Sequence, residues 1–278
     1  MDKKTVIVRG GGDLATGVIY VLFKAGFKVI SLETEMPSAI RRTVSFCEAV
    51  YEGSSEIEGI KCVLCSDVNE ALSENEKGNV AMLNDKACDI LEHIRPYALV
   101  DAILAKKNLG TNRDMADIVI ALGPGFEAGR DADIVIETMR GHNLGRMYET
   151  GSAIPNTGVP GLIAGHSSDR VIHAEHKGIL YNRAAIGDVV KEGDTIAVIR
   201  DESGMEHPVR ATFTGLLRGL IRDGYPVTAG FKIADIDART EEHDNCFTIS
   251  DKARSLGGSV LCAIMYLANK KTINREEE

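Results

Sequence analysis

The sequence predicts an α/β fold: a Rossmann-like parallel sheet, then a small all-β domain of barrel-sandwich-hybrid type, then a C-terminal helix. Three observations carry this expectation. From Thr5 to Thr138, Val/Ile-rich apolar runs alternate with helical stretches and glycine corners. From about residue 170 the texture changes to short β segments, in which one 13-residue frame occurs twice. After residue 241 an apolar-periodic stretch closes the chain. The domains are accordingly expected at 1–168 (nucleotide or cofactor binding), 169–240 (β-repeat) and 241–278 (a helix packing back on the first).

The apolar runs are TVIVRG (5–10), FKVISLE (27–33), KCVLCSD (61–67), VAMLND (80–85), ALVDAIL (98–104), DIVIALG (117–123) and DIVIET (133–138). They are continuous rather than alternating, as strands covered on both faces should be. Between the first two, DLATGVIYVLFKAG places Leu14, Val18, Val21 and Leu22 at helical spacing. A second helix is expected at 86–94, stopped before Pro96. Such alternation implies βαβ units with right-handed crossovers. Residues 139–168, rich in Gly, Asn, Ser, Thr and Pro, read as a long loop beyond the strand ends, its 139–161 part placed to act as a lid.

In the β-repeat, the frame G-x-x-V-x-x-G-x-x-I-A-x-I runs from Gly187 to Ile199 and again from Gly224 to Ile236. Each copy reads as strand, glycine turn, strand, and the copies should pack about a pseudo-dyad. The connection between them, Arg200 to His207, contains no lysine. A covalent biotin or lipoate is therefore not expected. In the last segment Ser250 or Asp251 can cap a helix carrying Leu256, Val260, Leu261, Ile264, Met265 and Leu267. Gly257 and Gly258 inside it suggest a close-packed neighbouring backbone.

Composition narrows the function classes. The 278 residues are 44% hydrophobic and 26% charged, which excludes disordered and fibrous classes. A net charge of −9 argues against nucleic acid or an anionic membrane as partner. No window approaches ~18 uninterrupted apolar residues, and the start runs straight into a strand, so a cytoplasmic protein without a membrane span is expected. Six cysteines in a chain this long do not form a disulfide framework.

The sharpest local signal is Gly10-Gly11-Gly12-Asp13-Leu14-Ala15, a G-x-G-x-x-A frame between a strand and a helix. Gly10 would make the turn, Gly12 would admit a phosphate, and the helix N-terminus would supply N–H donors. Glu33 ends the second strand, where an acid can take a ribose hydroxyl. Asp13 also serves as a plain helix cap, so nucleotide binding and a purely structural turn both stand. Arg41 and Arg42 are candidates for a phosphate clamp, against a solvated face. Gly123-Pro124-Gly125-Phe126, Lys106-Lys107-Asn108, and Arg140, His142, Asn143 and Arg146 all follow strands and would line one crevice for a small anion. Cys47 beside the arginine pair would be a lowered thiol if those charges are near. Cys62 and Cys65 read as core residues. His173 and His176 lack a third ligand, so no metal site is assigned. No catalytic residue is assigned either.

Taken together, RGGGDLATG, AIRRTVSFCEAVYEG, the block GPGFEAGRDADIVIETMRGHNLGRMYETGSAIPNTG and the final SDKARSLGGSVLCAIMYLANKK resemble the YqeB-type family. Its members are accessory proteins of selenium-dependent molybdenum hydroxylases, related in their Rossmann part to the xanthine dehydrogenase accessory proteins. The resemblance implies a role in maturing such a hydroxylase, with the apoprotein or its maturation factors as partner and molybdenum cofactor or a precursor as ligand. It supplies no reaction. A maturation factor that binds NAD(P) or another nucleotide, a free-standing NAD(P)-dependent oxidoreductase with His142 or Tyr148 as proton donor, and a non-enzymatic cofactor-insertion scaffold remain as alternatives. Self-association into a homo-oligomer is left open.

Overall fold

A computed structural model describes residues 4–158 and 165–276. The chain divides into two compact units. The first comprises residues 1–37, 45–157 and 249–278; the second comprises 38–44 and 158–248.

The first unit begins β1 (Thr5–Arg9), α1 (Asp13–Lys24), β2 (Lys28–Glu33), α2 (Ala49–Glu52), β3 (Ser54–Ile57), β4 (Ile60–Cys65), α3 (Val68–Glu76) and β5 (Val80–Asn84). It continues with β6 (Ala98–Asp101), β7 (Ile118–Leu122), β8 (Ile134–Ile136) and β9 (Met147–Tyr148). All nine strands form one sheet in the order β3-β4-β5-β2-β1-β6-β7-β8-β9. The seven inner strands pair parallel, and the two edge pairs, β3 with β4 and β8 with β9, are antiparallel. Along β1, Val6 and Val8 enter one apolar core and Ile7 the other, so the sheet is buried on both faces.

The second unit contains β10 (Val171–His173), β11 (Gly178–Asn182), β12 (Val189–Val190), β13 (Thr195–Arg200), β14 (Glu206–Arg210), β15 (Gly215–Leu220), β16 (Pro226–Val227) and β17 (Lys232–Asp237). They form two four-stranded antiparallel sheets, β10-β17-β15-β12 and β14-β13-β11-β16, around one core. The repeat copies are β12–β13 and β16–β17, with Gly193 at φ +83° and Gly230 at φ +81° in the intervening turns. Each copy lends its short strand to the other copy's sheet: β12 pairs with β15, and β16 with β11. The chain then returns to the first unit as α4 (Asp251–Glu276).

The expected fold class, a Rossmann-like parallel sheet followed by a barrel-sandwich-hybrid-like domain, is corrected accordingly. The main sheet is mixed, and its parallel strands, numbered in chain order, run 3-4-2-1-5-6-7 rather than 3-2-1-4-5-6. Only two crossovers carry a helix of more than four residues, α1 and α3. The helix expected at 86–94 is a single 3-10 turn, Asp89–Glu92, because Cys88 takes a left-handed conformation and Asp85 spends its carboxylate on the Asp89 and Ile90 N–H groups. The bare stretch of one sheet face is covered by α4, which packs on α1, β7 and β8. That contact is close: a Cβ on Gly17 would lie 2.4 Å from the Ala253 carbonyl, and one on Gly257 2.5 Å from the Gly17 carbonyl. Gly258, by contrast, faces open space.

The region expected as a lid contains β9 and a series of glycine turns; residues 159–161 of it lie outside the described residues. No helix among the described residues is long and apolar enough to cross a membrane.

Candidate functional site

β1 lies at the centre of the sheet between β2 and β6, so its carboxyl end opens onto the middle of the edge where the parallel strands finish. The turn that follows is bolted down. Gly10 N–H donates to Leu32 O (2.7 Å), the Ser31 hydroxyl donates to Gly10 O (3.1 Å), and Gly11 O accepts from Cys47 N–H (2.9 Å) and the Thr16 hydroxyl (3.2 Å).

The three glycines have different reasons to be glycine. Gly10 has φ +101°, and a Cβ there would stand 3.0 Å from the Ala102 carbonyl oxygen. On Gly11 it would meet Met82 Cε at 2.8 Å and Cys47 N at 3.1 Å. Gly12 has an ordinary extended conformation (φ −67°, ψ −179°), and nothing lies within 4 Å of its missing Cβ. It is the N-cap of α1 and supplies no side-chain cap. The first turn of α1, with its unsatisfied N–H donors and partial positive charge, is therefore approachable at Gly12.

Glu33 reaches the same turn. Its carboxylate accepts from Gly11 N–H (2.7 Å) and Thr34 N–H (2.9 Å). Burial raises its pKa, and the two backbone donors only partly offset this. The acid expected to take a ribose hydroxyl thus braces the glycine turn itself.

Other loops at this edge wedge together. A Cβ on Gly123 would lie 2.7 Å from the Thr138 hydroxyl, and one on Gly125 2.5 Å from Lys107 Cα, so packing explains both glycines. Asn108 accepts from Gly110 and Thr111 N–H at 2.8 Å and shapes its own turn. Arg140 forks onto Asp251 with two 2.8 Å bonds. Asn143 O accepts from Arg146 N–H at 2.9 Å, and the exposed Arg146 guanidinium lies 5.5 Å from the Tyr148 ring. Arg41 and Arg42 belong to the second unit, where backbone carbonyls take up their donors: Arg41 gives to Asn245 O (2.9 Å), and Arg42 to Leu220 O (2.8 Å).

Three groups at this edge escaped the sequence reading. Glu137 is fully buried and accepts from Met139 N–H (2.7 Å), Ile154 N–H (2.8 Å) and the Tyr148 hydroxyl (3.4 Å), tying the loop after β8 to the sheet. Lys252, on the first turn of α4, is half-buried; burial lowers its pKa, and Asp13, Glu137 and Asp251 oppose that while Arg140 adds to it. Arg9, 3% exposed, reaches Lys86 O and Leu109 O (3.3 Å each) and, with the Thr111 hydroxyl, Asp101. A lone Arg in TVIVR and a lone Asp in ALVDAIL were the available signals for that pair.

Cys47 is the reverse of an activated thiol. Burial first, then Glu33, Glu48 and Asp13, push its pKa well up. Cys65 is pushed up to about 11, mainly by burial. A separate cleft of about 600 Å³ beyond β4 and β5, lined by Cys65, Asp67, Glu70, Asn84, Asp85 and His93 among others, contains none of the residues expected from sequence. Among the described residues no three His, Cys, Asp or Glu side chains are grouped to hold a metal ion.

Over 266 residues, 95% of its length, the chain is 50% identical to the uncharacterized protein YqeB of Escherichia coli K12. The similarity to YqeB runs along nearly the whole of this chain. It spans about half of that protein, 48% of its length. No protein-family model matches the chain. Among solved structures, the product-bound ectoine utilization protein EutE (DoeB) of Ruegeria pomeroyi aligns with TM-score 0.27 and 11% identity, over 84% of this chain and 85% of that one. An aspartoacylase family protein of Mesorhizobium loti aligns with TM-score 0.27 and 12% identity, over 85% of each chain. TM-scores this low carry no argument about this chain.

Proposed function

We propose that the chain binds a nucleotide or another anionic cofactor at the carboxyl edge of its parallel strands, and acts there as an accessory protein in maturing a selenium-dependent molybdenum hydroxylase. The observation that carries the binding half is Gly12. Its neighbours are glycine because the fold leaves no room for a side chain; Gly12 is glycine where there is room. An anion seated there would receive N–H groups of the first turn of α1, and Lys252, within electrostatic reach of Asp13, would supply positive charge nearby. A molybdenum cofactor or precursor carries phosphate and would use the same donors. The maturation half rests on what the family resemblance implies.

The test is calorimetric titration of NAD(P), ATP and related nucleotides into the wild-type chain and Gly12→Val. Loss of the N-cap glycine should cost about 1 kcal/mol or less, while affinity should drop at least ten-fold, equivalent to about 1.4 kcal/mol. A wild-type chain that binds none of these ligands, nor any ligand co-purified from its host, would end the reading. For maturation, the hydroxylase made in cells lacking this chain should be deficient in bound molybdenum or selenium.

A further inference from the structure

In the second unit, one face of β17 carries an ion cluster that the proposed site does not use. Ile233, Ala234 and Ile236 enter the apolar core, while Asp235 and Asp237, 7% and 1% exposed, are buried outside it. Arg170, 5% exposed, precedes β10 and gives its Nε–H to Ile236 O at 3.2 Å. Its Nη2 lies 3.5 Å from Asp235 and 4.0 Å from Asp237, and has no hydrogen-bond partner among the described residues although it is buried. Arg218 on β15 repeats the pattern: Nη1 lies 3.9 Å from Asp235, and Nε is buried without a hydrogen-bond partner among the described residues.

Asp237 is already served by Arg239, whose fork donates at 3.0 and 2.7 Å. Arg170 and Arg218 are therefore left sharing one carboxylate, Asp235, across gaps too long for good hydrogen bonds. Arg41 adds to the positive side, since the buried Cys246 lies within electrostatic reach of Arg218, Arg41, Asp237 and Asp235 together. A buried guanidinium with an idle N–H is costly, and the cost is removed by an acceptor that can serve both forks.

We infer that Arg170 and Arg218 form a binding site for a small free oxyanion of the phosphate or sulfate class. Guanidinium forks match the oxygens of such anions, and one anion could accept from both idle donors. Every group involved belongs to the second unit, so the site is independent of the glycine turn.

The experiment uses the full chain in chloride buffer at constant ionic strength, with equilibrium dialysis of radiolabelled inorganic phosphate and melting curves in phosphate, sulfate and chloride. Saturable phosphate binding is expected, with a rise in Tm that chloride does not give. Binding should survive Gly12→Val and weaken ten-fold or more in Arg170→Met and Arg218→Met. In chloride Arg218→Met should melt at or above wild type, because Arg170 stays beside Asp235, whereas Arg170→Met also loses the Nε–H bond to Ile236 O and should melt lower. If Arg170→Met does not fold, Arg218→Met and wild-type dialysis decide. No saturable binding by wild type would overturn the inference. So would binding lost in Gly12→Val but kept in Arg218→Met, or an Arg218→Met variant that folds but melts well below wild type in chloride, as expected if a bridging water completes a structural cluster.

Discussion

Glu33 braces the glycine turn with a carboxylate that burial penalises, and the sign of its pH dependence follows. Its folded pKa is raised above the ordinary value near 4.5, so the native state holds the proton more tightly than the unfolded chain. Its contribution to stability is therefore full below about pH 4.5 and is lost as pH rises through the raised value. Glu33→Gln removes this titration. Urea denaturation at pH 4 and pH 8 should show the variant gaining stability relative to wild type at the higher pH; an unchanged difference would mean the carboxyl titrates normally. Residues of this kind mark the limit of sequence reading. The glycine frame, Glu33 and the Arg140–Arg146 group were legible as types in a pattern. That Gly10 and Gly11 serve packing while Gly12 does not depends on Ala102, Met82 and Cys47, which only the fold brings near.

Between elements, the tightest contact is α1 against α4. Gly17→Ala would drive a Cβ into the Ala253 backbone, and backbone cannot rotate away as a side chain can. Overpacking of this kind costs about 1–3 kcal/mol, and thermal unfolding should show a Tm lower by several degrees. The β-repeat makes a symmetric prediction. Gly193 and Gly230 both have φ near +80° and open space around the missing Cβ, so Ala at either position meets backbone strain alone. The two variants should lose similar stability, about 1–2 kcal/mol each, whereas a large difference would show that the turns are not equivalent. The seven apolar runs each overlap a parallel strand, because continuous Val/Ile segments have few alternatives when both faces are covered. The strand order and the exchange of β12 and β16 were not legible, since short strands pair wherever tertiary packing carries them.

At the scale of the whole chain, Cys262 is exposed and Cys47, Cys62, Cys65, Cys88 and Cys246 are buried. Native protein should present one fast thiol to a disulfide reagent, and the other five only on denaturation; two or more fast thiols would mean that a core opens readily. Segment 38–44 belongs to the second unit and α4 to the first, so the units are interleaved along the chain. The return of the last helix was expected from its apolar periodicity and paired glycines; the 38–44 segment was not, because no local pattern announces where so short a piece docks. Interleaving imposes an order in time. On the ribosome, the sheet of the first unit is complete once residue 157 has emerged, yet Leu256, Val260 and Ile264, which seal one of its faces, come only after the second unit has been synthesised. At ~5–20 residues/s the face waits roughly 5–21 s for these three residues. During that interval a nascent-chain chaperone has an apolar surface to hold, and a pause before residue 249 would prolong its stay.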